Sequence, residues 1–120
     1  MTLQTKNTTI QRGDIFWVDL SNQVGSEQGG KRPALVVQNN KGNLYSPTTI
    51  VVPLTTKPKR VMPTHTLLTP KECGLPEESS ALCEQVRTID KSRILDKIGE
   101  LLNHNKFAEI NQKLKISMGL

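Results

Sequence analysis

The sequence predicts a small, mainly β domain, a β-barrel closed by one C-terminal helix. Short runs rich in β-branched and aromatic residues recur between Asp14 and Leu101. Gly- and Pro-containing stretches separate them. After Asn103 the apolar spacing changes to threes and fours. Short strands followed by a single helix are the pattern of such a barrel. A chain of 120 residues has room for one domain and can bury a core without disulfides or a metal.

Met1–Gln11 reads as a polar, mobile arm rich in Thr, Asn and Gln, outside a single domain spanning 12–120. Asp14–Leu20 (DIFWVDL) is the first strand. Ser21–Arg32 has three glycines and no long apolar run, so it is a loop; at twelve residues it is long, and such loops often carry function. Pro33–Asn40 is the second strand, and Asn40–Asn43 a turn. Thr48–Thr56 is the third, with Pro53 suggesting an edge or a bulge. Lys57–Pro63 forms a second, basic loop. Thr64–Leu68, Ser80–Ile89 and Asp96–Leu101 complete the strands. Asn103 is placed to cap a helix whose Phe107, Ile110, Leu114 and Met118 share one face. Ile116 falls on the opposite face, which gives the helix two sides to cover.

Sixteen Lys and Arg against eleven Asp and Glu give a net charge of +5. The excess is local. No acid lies between Glu27 and Glu72, an interval holding Lys31, Arg32, Lys41, Lys57, Lys59, Arg60 and Lys71. That face suits a phosphate backbone, or equally a set of solvated loop lysines. Phe16, Trp17, Tyr45 and Phe107 are too few for a base-stacking platform. The longest apolar runs, Ala34–Val37 and Ile50–Val52, are far too short to span a membrane. The polar start does not read as a signal peptide, so a cytoplasmic protein is expected. Cys73 and Cys83 are then expected to be reduced and unbridged. The two Cys and two His lack the paired spacing of a zinc site.

The motifs exclude several chemistries. Gly25, Gly29 and Gly30 lack the ending of a phosphate-binding P-loop, and GSEQGG is not a dinucleotide fingerprint. There is no nucleophile elbow and no HExxH. Glu77-Glu78 lies in a Pro-flanked turn and reads as solvated, as does His104 beside the helix cap. His65 ends the basic loop and is either structural or a ligand contact. Residue chemistry alone gives a basic β-module with an unusual Gly-rich loop, and does not demand an enzyme.

Several segments together carry more. Arg12-Gly13-Asp14-Ile15 opens the first strand, and Gly25-Ser26-Glu27-Gln28-Gly29-Gly30-Lys31-Arg32-Pro33 leads into the second. Val36–Asn40, Pro53–Lys57, Pro63-Thr64-His65 and Glu84–Asp90 (EQVRTID) follow in order. From about Arg12 to Met118 the chain resembles the MazF/PemK (EndoA-like) endoribonuclease toxins of type II toxin–antitoxin modules. The resemblance implies an SH3-like, CcdB/MazF-type barrel acting as a homodimer. It implies sequence-specific, metal-independent cleavage of single-stranded RNA, with mRNA as the target, leaving a 2′,3′-cyclic phosphate and a 5′-hydroxyl. No cofactor is implied. Arg32 and Thr55 would be the catalytic pair. Ser26, Glu27, Gly29 and Gly30 would line the substrate loop. Asn39, His65, Ser79, Glu84 and Gln85 would be RNA contacts. The inhibitor would be a MazE-like antitoxin whose C-terminal tail occupies the RNA groove.

This chemistry is consistent with the residues. The nucleophile is the RNA's own 2′-hydroxyl, so no Ser or Cys nucleophile is needed and DNA is not a substrate. A forked guanidinium suits the phosphate oxygens on which charge develops, and a Thr hydroxyl can donate to them. An arginine is a poor general base unless its environment is unusual, so the proton acceptor stays open among Glu27, His65 and Arg32 itself. Other readings stay open. Arg32 could simply pair with Glu27. If 80–89 is one strand, Gln85 and Arg87 share a face, and Arg87 could be a structural partner of Asp90. A gyrase inhibitor of the CcdB type, or a basic SH3-like nucleic-acid adaptor, would use the same barrel without the Arg32/Thr55 chemistry. The basic loop Lys57–Met62 is expected to shape which RNA sequence is cut.

Overall fold

The computed structural model describes residues 9–120 apart from 22, 23, 26, 28 and 59. Most of the expected arm, together with Ser26 and Lys59, therefore lies outside the described residues. Among the described residues the strands are β1 (Asp14–Leu20), β2 (Gly30–Val36), β3 (Thr48–Thr55), β4 (His65–Leu68), β5 (Ser79–Leu82), β6 (Arg87–Asp90) and β7 (Ile94–Glu100). The helices are α1 (Asn40–Tyr45), α2 (Pro70–Cys73) and α3 (His104–Met118). The strands form one antiparallel ladder in the order β4-β5-β3-β2-β1-β7, with β6 also paired to β3. The chain is thus mainly antiparallel β with a C-terminal helix, as expected.

The apolar runs of β1, β2 and β3 are nearly continuous because both faces of these strands are covered. Phe16, Val18, Leu20, Ala34, Val36 and Val51 pack with Ile10, Ile89 and Ile94. Their sequence neighbours Ile15, Leu35, Val52 and Leu54 pack in a second cluster with Leu68, Leu101 and Ile110. Alternate side chains point to opposite faces of a strand, so each strand contributes to both clusters.

Three local expectations change. The fifth strand is two strands, β5 and β6, separated by a 3-10 turn at Cys83–Gln85. The cause is register. Leu54 faces Ala81 whereas Val51 faces Arg87, so three steps along β3 correspond to six along its partner. The turn absorbs the three extra residues as a wide bulge. The Asn40–Asn43 turn is the body of α1, and β2 stops at Val36. Asn39 caps α1, its Oδ1 accepting from the Gly42 amide at 2.8 Å, and the buried Asn43 bonds Gln38, Thr49 and Asn40. Asn and Gly favour turns and helix starts alike. Pro53 is on a central strand, so of the two expectations for it the edge fails and the bulge holds. It faces Ala34 on β2, and on its other side it falls between the β6 ladder, which ends at Val51, and the β5 ladder, which starts at Leu54. A residue without an N–H is tolerated in that gap.

α3 begins where expected, with Asn103 Oδ1 accepting from the Lys106 amide at 3.1 Å. Ile110 is fully buried, with Phe107 and Leu114 packed beside it. Met118 and Ile116 are 63% and 52% exposed, so the last turn runs past the core. Asn103→Ala is expected to cost about 1 kcal/mol and to lower the melting temperature by roughly 4 °C, read by circular dichroism.

Candidate active site

β2 and β3 carry the two residues expected to be catalytic, Arg32 and Thr55. Their ladder pairs Val36 with Val51, Leu35 with Val52 and Ala34 with Pro53. The ladder ends there, and Arg32 and Thr55 each stand two residues past its last pair, in the same alternation phase as Ala34 and Pro53. Opposed residues of an antiparallel pair project to the same face. On β1, Val18 faces Arg32, so Arg32 emerges at the end of the buried row Val18, Ala34, Val36. Such a position packs the alkyl stem and leaves the charged head at the edge. Arg32 Nε donates to the Gly29 carbonyl at 2.9 Å, which orients the guanidinium. Gly29 thus contributes its carbonyl. Gly30, at φ +70°, makes the left-handed step that starts β2. On the other side of Thr55 lies Ser80, its partner on β5. Thr55 Oγ1 accepts from the Lys57 amide at 3.3 Å.

A groove of about 480 Å³ is lined by Glu27, Glu84, Gln85, Val86, Arg87 and Thr88. Glu27 reaches it from the Gly-rich loop, where its Oε1 accepts from the Val24 amide at 2.7 Å and its own amide donates to the Val24 carbonyl at 3.1 Å. The other lining residues come from the 3-10 turn and the start of β6. Carboxylates in a groove repel phosphates and suit the amino groups of bases. A wider open depression of about 910 Å³ lies between α2 and β7, with Lys71, Glu72, Lys97 and Glu100 among its lining. Its charges are balanced, and it contains none of the predicted site residues.

His65 and Glu84 meet each other. His65 Nε2 lies 3.1 Å from Glu84 Oε2, and Thr64 Oγ1 donates to Glu84 Oε1 at 2.8 Å. His65 Nδ1 accepts from the Met62 amide at 3.3 Å, so the ring proton is on Nε2. Both ring nitrogens have partners within the chain. Burial works to raise the Glu84 carboxyl, but the hydrogen bonds from Thr64, its own amide and His65 outweigh it and hold the pKa below the usual value. A depressed carboxylate contributes stability above the ordinary carboxyl range and loses it as pH falls through the folded value. Urea midpoints are therefore expected to fall below about pH 4.5 less steeply in Glu84→Gln than in the native chain.

The remaining predicted residues stand apart. Asn39 caps α1 beyond the far end of β2 from Arg32. Ser79 is buried and its Oγ donates to the Glu77 carbonyl at 3.2 Å; strand alternation turns its neighbour Ser80 toward Thr55 instead. Ser80, Arg87 and Thr88 were not singled out as site residues, although the EQVRTID block contains the last two. Arg87 and Asp90, three apart on β6, project to opposite faces, and Asp90 Oδ2 accepts from the Ser92 amide. Cys73 and Cys83 are free and buried. Burial pushes the Cys83 thiol up to about 12, with Glu84 adding to it. Among the described residues no three His, Cys, Asp or Glu converge as metal ligands, and no helix is long and apolar enough to cross a membrane.

A mainly-β chain with a C-terminal helix, in which the Gly-rich loop and the EQVRTID segment meet at one groove, defines the class. Residues 11–118 match the family of PemK-like, MazF-like toxins of type II toxin–antitoxin systems, and the chain belongs to that family. It is 46% identical over 112 residues to endoribonuclease EndoA of Bacillus subtilis (strain 168), covering 92% of this chain and 96% of that one. It is an endoribonuclease of this class. MazF from Deinococcus radiodurans superposes with a TM-score of 0.80 at 27% identity, over 95% of this chain and all of that one. A mycobacterial endoribonuclease solved in complex with its cognate antitoxin superposes with a TM-score of 0.76 at 27% identity, over 92% and 96% of the two chains.

Proposed function

We propose that this chain cleaves single-stranded RNA at defined sequences by attack of the substrate's own 2′-hydroxyl. The products are a 2′,3′-cyclic phosphate and a 5′-hydroxyl, and no metal takes part. What supports this reading is that Arg32 and Thr55 each stand two residues past the last pair of the β2–β3 ladder, with Ser80 paired to Thr55 on β5. The guanidinium fork meets the non-bridging oxygens as negative charge builds on them, and the Thr55 hydroxyl donates to the same oxygens. Glu27, on the groove, is better placed than His65 to accept the 2′-hydroxyl proton. The enzyme works in the cytoplasm as a homodimer. It is restrained by a MazE-like antitoxin whose C-terminal tail fills the RNA groove; the mycobacterial relative bound to its antitoxin supports this.

Incubation of a long single-stranded RNA and the matching DNA with purified protein in EDTA tests the reading. Discrete cuts in RNA alone, ending in cyclic phosphate, are expected. Intact RNA would favour a nucleic-acid adaptor or a gyrase inhibitor of the CcdB type, and loss of cutting in chelator would remove the metal-free mechanism. Thr55→Val keeps the strand shape and removes the hydroxyl. It is expected to slow single-turnover cleavage roughly 10²-fold.

A further inference from the structure

We infer that Glu84 is a positioning residue: it latches the stem of the basic loop to the groove wall and thereby sets which RNA sequences the groove accepts. The inference rests on the endoribonuclease reading and deepens it. Both carboxylate oxygens are engaged by the chain, Oε1 by Thr64 and Oε2 by His65. The side chains of His65 and Glu84 are 8% and 23% exposed, so the pair is largely shielded from solvent competition.

The stem is tethered at four successive residues. Met62 donates its amide to His65 Nδ1 and accepts from the His65 amide at 3.0 Å. The Pro63 carbonyl accepts from Lys113 Nζ of α3 at 2.6 Å. The Thr64 carbonyl accepts from the Cys83 amide at 3.3 Å, while its hydroxyl and the His65 ring hold Glu84. Arg60 and Val61, which precede the stem, are exposed, Val61 at 86%. Glu84 is followed directly by Gln85–Thr88, which line the groove. One carboxylate therefore fixes the spacing between a cationic loop and a wall of base-reading polar groups. A carboxylate spent in this way acts through what it holds.

The test compares Glu84→Ala, Glu84→Gln, Thr64→Val and the Thr64→Val/Glu84→Ala double variant. Three readouts are used: KM and kcat on an RNA cut by the native protein, the cut-site spectrum on a long RNA, and amide hydrogen exchange at Met62 and Cys83 without RNA. Glu84→Ala should raise KM about ten-fold with a smaller change in kcat, admit secondary cut sites and speed exchange at both amides. Glu84→Gln should restore most of the affinity, because its amide can still accept from His65 and donate to the Thr64 oxygen. Thr64→Val should add nothing in the Ala background, since the two residues act as one unit.

Additive losses in the double variant, or unchanged exchange in Glu84→Ala, would overturn the latch and make Glu84 a direct RNA contact. Should Glu84→Ala not fold, Thr64→Val alone decides. The latch then requires faster Met62 exchange and a raised KM; native values of either would overturn it. Failure of the native protein to cut RNA would sink the endoribonuclease reading, while the exchange data would still show whether Glu84 holds the loop.

Discussion

Arg32→Ala is expected to lower the single-turnover rate of RNA cleavage by about 10³-fold or more while leaving the melting curve in place. Removing one donor to a developing oxyanion costs on the order of 10²–10³-fold, and Arg32 supplies both a fork of donors and the full charge at the site. Its recorded hydrogen bond is to the carbonyl of Gly29 in the same loop, so the core does not depend on it. Arg32→Lys is the sharper variant. It keeps the charge and loses the planar fork, so it should recover only a small part of the rate. Single-turnover rates on a fluorogenic RNA, with differential scanning calorimetry alongside, decide the matter. A cleavage rate within a few-fold of native in Arg32→Ala would remove Arg32 from the chemistry. A collapsed melt would make its role structural.

Gly99→Ala should be strongly destabilising, since among the described glycines an added Cβ makes its shortest approach there. A Cβ at residue 99 would come within 2.3 Å of the Cys73 carbonyl oxygen, and the next atoms met are the Cys73 carbonyl carbon at 3.5 Å and Leu75 Cδ2 at 3.6 Å. The obstacle is backbone, held by α2 through the Gly74 amide bond to the Pro70 carbonyl at 2.8 Å. It cannot rotate away as a side chain would. β7 must part from α2, and Leu75 and Leu101 of the apolar cluster shift with them. Overpacking of this kind costs about 3 kcal/mol, which corresponds to a fall of roughly 10 °C in melting temperature. Thermal and urea denaturation measure it. A loss under about 0.5 kcal/mol, the scale of a neutral surface change, would mean that α2 and β7 are not held together as described.

The parts legible in the sequence are those written in local chemistry. β1 runs over the residues expected, Asp14–Leu20, because its apolar stretch is bounded by Gly13 and the polar Ser21. α3 starts at its Asn103 cap. The short α2 also carries a local signature. Thr69 and Glu72 form a capping box around Pro70, but four residues are too few to show a helical period. What escaped is long-range. Nothing in Ser80–Ile89 announces three residues of bulge, because the slip exists only relative to β3. The alternation assigned to Glu84, Gln85, Val86 and Arg87 dissolved with it. The pairing of Arg32 with Thr55 comes from the resemblance; the β2–β3 ladder stops two residues short of it. His65 and Glu84 were both drawn from motif blocks as RNA contacts; their bond to each other depends on β4 and β5 lying side by side.

β3 bonds to β2 along one side and to both β5 and β6 along the other. Residues 79–90 arrive late in translation, yet they cover the strand that carries Thr55. A nascent or truncated chain that stops before Ser79 leaves one edge of that strand bare and lacks the groove wall altogether. It would hold Arg32 and Thr55 in its sequence without that wall. In an endoribonuclease toxin the groove is therefore complete only once synthesis has passed residue 88.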